Sequence, residues 1–122
     1  MTAEATETRY LLQPSAAALG AHAPKPTSVT DGQTEAARVL WEAEGGRIDT
    51  GLWEATAGTF TATREGYTEI CTLLSGRVTI TGKGEEPVTY GPGDIIVMPS
   101  GWSGEWVVHE TVRKHYTIIT DT

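Results

Sequence analysis

The sequence predicts an all-β barrel or sandwich behind an irregular N-terminal arm. Turn signals recur at short intervals after residue 45: Gly45-Gly46, Gly58, Ser75-Gly76, Gly82-Lys83-Gly84, Gly91-Pro92-Gly93 and Pro99-Ser100-Gly101. Between them lie short runs rich in Val, Ile, Thr, Tyr and Trp, residue types that suit a pleated, half-buried surface. Beyond residue 45 nothing demands a helix longer than about two turns.

Residues 1–37 form the arm. They are rich in Ala, Thr, Pro and Ser, with Pro14, Pro24 and Pro26 interrupting any periodicity. Such a segment packs over its own or a neighbouring subunit, or stays mobile. Residues 38–122 form a single barrel. Ala36, Ala37, Leu40 and Trp41 sit at helical spacing, yet RVLWE also suits a strand, and a strand is expected over 38–42. Further strands are expected in GLWEAT, YTEICTLL, RVTITG, PVTYG, DIIVMP, EWVVHE and RKHYTIIT. In RVTIT, Val78 and Ile80 take one face and Arg77, Thr79 and Thr81 the other. DIIVM is apolar on both faces and reads as an interior strand. Gly82-Lys83-Gly84 reads as a hairpin tip rather than a phosphate loop, because no helix comes after it.

Composition limits the partners. The 122 residues suffice for one core, and no apolar run approaches the ~18–20 residues of a membrane span. A net charge of −7 disfavours nucleic acid and anionic membranes, which need a basic surface. Cys71 is the only cysteine, so an intrachain disulfide cannot form. The first residues carry Glu4 and Glu7 in place of a basic leader, and a cytoplasmic location is expected.

The residues also resemble a known family. The cupins are small jelly-roll barrels with two motifs. Gly58, and Glu69-ICTLLS-Gly76, fit the first, which otherwise carries a His-x-His pair. Gly93-DIIVM-Pro99-Ser100-Gly101-Trp102-Ser103-Gly104 fits the second, except that Gly104 stands where the motif has histidine. GLWEATAG, GYTEICTLLSGRVTIT, GPGDIIVMPSGWSGEW and VRKHYTI look like phrases of a subfamily that includes the ethanolamine-utilisation cupins and is related to the ureidoglycine aminohydrolases. The resemblance implies a cupin double-stranded β-helix over roughly residues 38–119. It also implies a homodimer, in which an N-terminal segment is often exchanged.

The family's metal site implies three histidines and one glutamate. Here the His-x-His region reads TATREGYTE, with Arg64 and Glu65, and only Glu69 survives. One carboxylate cannot hold a nitrogen-loving transition ion, so no metal and no cofactor are expected. His22 lies in the arm; His109 and His115 flank the last turn. A carboxylate set of Glu65, Glu69 and Glu110 with His109 is the remaining metal alternative.

What can act in the lumen is organic. Strand alternation puts Tyr67, Cys71 and Leu73 on the face of Glu69. If position 104 faces inward, Trp106, Val108 and Glu110 do too. Lys114 and Tyr116 share one face of the last strand. Glu69, Lys114 and Tyr116 are the catalytic candidates, with carboxylate as base and ammonium or phenol steadying negative charge. Trp53, Arg64, Tyr67 and Trp106 are the ligand-binding candidates, and Trp102 is a candidate lid or dimer aromatic. Cys71 reads as a core thiol and Ser103 as a turn serine. The residues leave open a metal-independent acid–base enzyme, a non-catalytic module binding a small polar metabolite or serving as a subunit, and a metal-dependent aminohydrolase. Glu69 could also simply plug the barrel through an ion pair.

Overall fold

The computed structural model describes residues 6–122; Glu4, in the acidic leader noted above, lies outside them. Eight strands run in order: β1 (Ala23–Pro24), β2 (Thr34–Ala43), β3 (Ile48–Ala55), β4 (Gly58–Thr63), β5 (Tyr67–Gly82), β6 (Val88–Tyr90), β7 (Ile95–Met98) and β8 (Ser103–Thr120).

Two long strands organise the barrel. β5 and β8 pair antiparallel from Tyr67↔Thr120 to Gly82↔Gly104. The first half of β5 and the second half of β8 belong to a larger sheet, in the order β1-β2-β3-β8-β5-β7. Their other halves carry β4 and β6, in the order β4-β8-β5-β6. This sharing is what makes the sheets two walls of one jelly roll. The crossing is built into β5 by register shifts between Leu73 and Ser75, Ser75 and Arg77, and Arg77 and Val78. Such bulges bend a strand and strengthen its twist. Gly76 has φ 87° there, and a Cβ would fall on the Thr111 carbonyl oxygen. Only glycine fits both demands.

Four expectations need correction. Ser75-Gly76 is not a turn between two strands but the bend within β5. EWVVHE and RKHYTIIT are likewise one strand, β8, so His109 and His115 flank no turn. The strand expected at 38–42 runs from Thr34 to Ala43. DIIVM is not interior: β7 pairs only with β5, and Ile95 and Val97 are 67 % and 55 % exposed. Its apolar outer face therefore meets solvent within this chain.

The core is asymmetric. Val78, Ile80, Trp106 and Val108 close the end of the barrel bounded by the smaller sheet, and Cys71, Leu73, Ile96 and Met98 continue it along β5 and β7. Phe60 stacks on Trp106 at 5.5 Å, and Trp53 meets both edge-on at 5.8 Å.

The arm is held by backbone acceptors. Arg113 Nη1 donates to the carbonyls of Pro14 and Ala17 at 2.9 and 2.6 Å, while its Nε donates to Glu54 at 3.1 Å. The chain then adds β1 beside β2 and crosses to β4, where Val29 N–H donates to the Thr59 carbonyl.

Candidate functional site

The inner face of the larger sheet opens into a cavity of about 530 Å³, within the ordinary size of small-ligand sites. Strand alternation explains its floor. Glu69 on β5 and Lys114 on β8 both point inward, and Arg64 sits just after β4. Lys114 Nζ lies 2.6 Å from Glu69 Oε2, and Arg64 Nε lies 3.2 Å from Glu69 Oε1. All three residues are buried. Lys114 Nζ is at charge-assisted hydrogen-bond distance from Glu69 Oε2, whereas Arg64 Nε makes no aligned hydrogen bond and acts on Glu69 through its charge.

The electrostatics are one-sided. Burial alone would push the Glu69 carboxyl up, but the charges of Lys114 and Arg64 outweigh it and hold the group below the usual carboxylate value. Aromatic faces support the cations. Lys114 Nζ lies 4.4 Å from the Trp53 ring centre and 4.7 Å from that of Trp106, within cation–π range. Arg64 lies 5.9 Å from the ring of Tyr67 and 5.7 Å from that of Trp102.

The cavity wall also holds residues of the segment expected to be a separate arm. Lys25 lines it, 4.2 Å from the Phe60 ring centre, and pairs with Glu35 at 2.8 Å. Trp53 Nε1 donates to the same Glu35 oxygen at 2.9 Å. Burial raises the Glu35 carboxyl, but Lys25 and the indole N–H more than offset it and leave the group lowered. No sequence signal marks Lys25 beyond its flanking Pro24 and Pro26. Its approach depends on β1 pairing with β2 and on the crossing to β4.

The other candidates divide. Trp53, Arg64, Tyr67, Glu69, Lys114 and Tyr116 all line the cavity. Trp106, expected as a ligand contact, is fully buried and lies outside that lining; it backs Trp53 and Lys114 instead. Tyr116 faces the lumen, yet its phenol is pushed up to about 12, by burial first and then by Asp49, with which it hydrogen-bonds. The Cys71 thiol, buried beside Glu69, is pushed up to about 11, chiefly by burial. A neutral thiol on a core strand is not a nucleophile at neutral pH. Glu110 does not join Trp106 and Val108 inside. The bulges at Ser75–Val78 shift the register opposite it, and it is exposed. His109 likewise faces outward, bonded to Thr79 Oγ1 at 2.7 Å. His115 lies on the outer face of the sheet and bonds Thr50 Oγ1 at 2.9 Å.

The donor set does not fit the metal implied by the fold family. Among the described residues no three His, Cys, Asp or Glu side chains are placed to hold an ion. Glu69 sits between two cations, which would repel a third. Gly104 leaves no room for the missing histidine: a Cβ there would lie 2.5 Å from the Thr81 carbonyl oxygen and 2.7 Å from the Trp102 ring.

A two-sheet jelly roll with its polar site inside the lumen is the cupin class of protein. More particularly, the chain belongs to the EutQ-like cupin domain family, whose sequence pattern matches residues 42–116. Solved structures agree on the fold. EutQ of Clostridium difficile superposes with a TM-score of 0.64 at 23% identity, covering 77% of this chain and 68% of that one. A putative ethanolamine utilization protein Q of Salmonella typhimurium gives 0.65 at 20% identity, covering 83% and 80%. A protein of unknown function from Pseudomonas syringae pv. tomato gives 0.69 at 19% identity, covering 81% of this chain and 42% of that one. A comparison with curated proteins found no match. Among the described residues no helix is long and apolar enough to cross a membrane.

Proposed function

We propose that the lumen binds a small polar metabolite carrying one negative charge, such as a short carboxylate. The observation that carries this is the charge balance of the site. Lys25, Arg64 and Lys114 face two carboxylates, Glu35 and Glu69. The charged side chains that line the cavity are three cations, Lys25, Arg64 and Lys114, and one carboxylate, Glu69, so the lining is net positive in a partly desolvated space, where an unmatched charge is costly. An anionic ligand supplies the missing partner, and the Trp53 and Phe60 faces receive its apolar part.

Binding is favoured over acid–base catalysis on the same grounds. A general base working near neutral pH needs a raised carboxyl, whereas Glu69 is lowered. Tyr116, raised to about 12, is a neutral hydrogen-bond donor rather than a ready proton source. Neither reading routes a step through a metal, because the residues present do not fit one.

The test is ligand-induced thermal stabilisation with matched panels of short monocarboxylates, their amides and the corresponding amines, with product formation tracked by NMR. Carboxylates should raise the melting midpoint and the others should not. Lys25→Met keeps the stem over Phe60 and removes the charge, and should weaken carboxylate binding about tenfold. A preference for amines, or no response to any carboxylate, overturns the proposal. Turnover abolished by Glu69→Gln would replace it with the acid–base reading.

A further inference from the structure

Residues 25–30, the strap that carries Lys25 into the wall of the lumen, are held from the other side of the sheet. Trp53 on β3 pairs with Lys114 on β8, and the next rung pairs Glu54 with Arg113. Successive strand positions face opposite ways, so the first rung lines the cavity and the second stands on the outer face behind it. There Glu54 is the centre of a latch. Its Oε1 accepts from Arg113 Nε at 3.1 Å, and its Oε2 lies 2.7 Å from His22 Nε2. Arg113 Nη1 donates to the Pro14 and Ala17 carbonyls, and His22 Nδ1 lies 2.9 Å from Thr34 Oγ1. Three residues after His22 the chain has rounded the edge of β2, and Lys25 lines the cavity. Pro24 and Pro26 flank Lys25. Each fixes a backbone torsion, so a shift at His22 is passed on to Lys25 rather than absorbed. The strap has no apolar anchor of its own, since its one aliphatic side chain, Val29, is 71 % exposed. Beyond Lys25 it is tied to β4 by backbone bonds, Val29 N–H to the Thr59 carbonyl and Thr61 N–H to that of Thr27. A segment held by surface hydrogen bonds, with little apolar burial, opens at low cost.

We infer that Glu54 and Arg113 are positioning residues for the lumen: through His22 and the strap they fix Lys25 beside Phe60 and Glu35, and so set the affinity for an anion there. The part concerning affinity rests on the reading of the lumen as an anion site. Coupling between two sites is reciprocal, so an anion held by Lys25 also tightens the arm on the outer face.

Two measurements test this, one of them without ligand. In the first, N-hydroxysuccinimidyl acetate acylates the full chain and mass spectrometry follows each lysine. The side chains of Lys25 and Lys114 are 10 % and 7 % exposed, so both start protected. Arg113→Gln should speed the labelling of Lys25 about fivefold, with exposed Lys83 unchanged and Lys114, on the sheet itself, still protected. Should Arg113→Gln not fold, His22→Ala, at a partly exposed side chain, should shift Lys25 in the same direction. The second measurement is an NMR titration with butyrate. Arg113→Gln should weaken binding about fivefold in the wild-type background and leave it unchanged in the Lys25→Met background, because the latch acts through that ammonium. If the wild type binds no butyrate, the anion reading fails alone, and the labelling decides whether the latch positions Lys25. Unchanged Lys25 labelling in folded latch variants, Lys114 labelling that rises together with it, or an equal loss of butyrate binding in both backgrounds overturns the inference.

Discussion

The two ends of the barrel are lined by the same two strands and solve opposite problems. Toward the smaller sheet, β5 and β8 present Val78, Ile80, Trp106 and Val108, a core whose apolar surface stabilises the fold by leaving water. Toward the larger sheet they present Glu69 and Lys114, joined by Arg64, where burial costs desolvation that ion pairing only partly returns. A chain selected for stability alone would extend the apolar end. A charged end kept open to a cavity, with Lys25 brought to it from the arm, is the feature on which the proposed binding site rests. The contrast also locates fragility: loss of one charge leaves others stranded, whereas loss of one methyl group leaves a gap.

The largest expected effect tests the charged end. Glu69→Gln keeps the shape and strands Lys114 and Arg64 without their carboxylate. It should cost about 3–5 kcal/mol in urea unfolding. A loss below about 1 kcal/mol would mean that water already screens the cluster, and the contrast between the ends would fail.

Next comes the apolar wall. Leu73→Ala removes a side chain only 1 % exposed and should cost about 3 kcal/mol. Carboxylate binding should remain close to wild type, because Leu73 does not line the cavity. Lys25→Met should do the reverse, weakening binding more than folding. If Leu73→Ala abolished binding at native temperature, the ends would be mechanically coupled rather than separate.

The smallest effect is in pH. Glu69 titrates lower in the folded chain than in the unfolded one. Its contribution to stability is therefore complete above the ordinary carboxylate range, near pH 4.3, and is lost as pH falls through the lower folded value. Unfolding midpoints measured downward from pH 6 should show this acid limb in the wild type, and Glu69→Gln should flatten it. Cys71 and Tyr116 act oppositely, titrating at about 11 and about 12 in the folded chain. Their contribution is complete below their unfolded values and declines as pH rises through the folded ones. Cys71→Ser should remove the earlier part of that alkaline limb.

Sequence and structure part company at identifiable residues. Alternation along YTEICTLL places Tyr67, Cys71 and Leu73 with Glu69, and the regular pleat there keeps them together. The bulges reverse the facing along β5, so that Leu73 and Val78 both point inward; β8 keeps its alternation from Trp106 to Tyr116, and only Glu110, at the crossing, is exposed against it. β7 reads as interior because both its faces are apolar, but how many strands flank it is a property of sheet order.

The residues alone determined the all-β class, the turn spacing, the cupin motifs and the loss of their histidines, since each is written in local order and residue type. Tertiary structure alone decided that Lys25 reaches the pocket with Glu35 bound to it, that Trp106 backs it, and that Trp102 fills the space beside Gly104. These depend on contacts between segments far apart in the chain and on bulges that reset register, and neither is encoded in any short stretch of sequence.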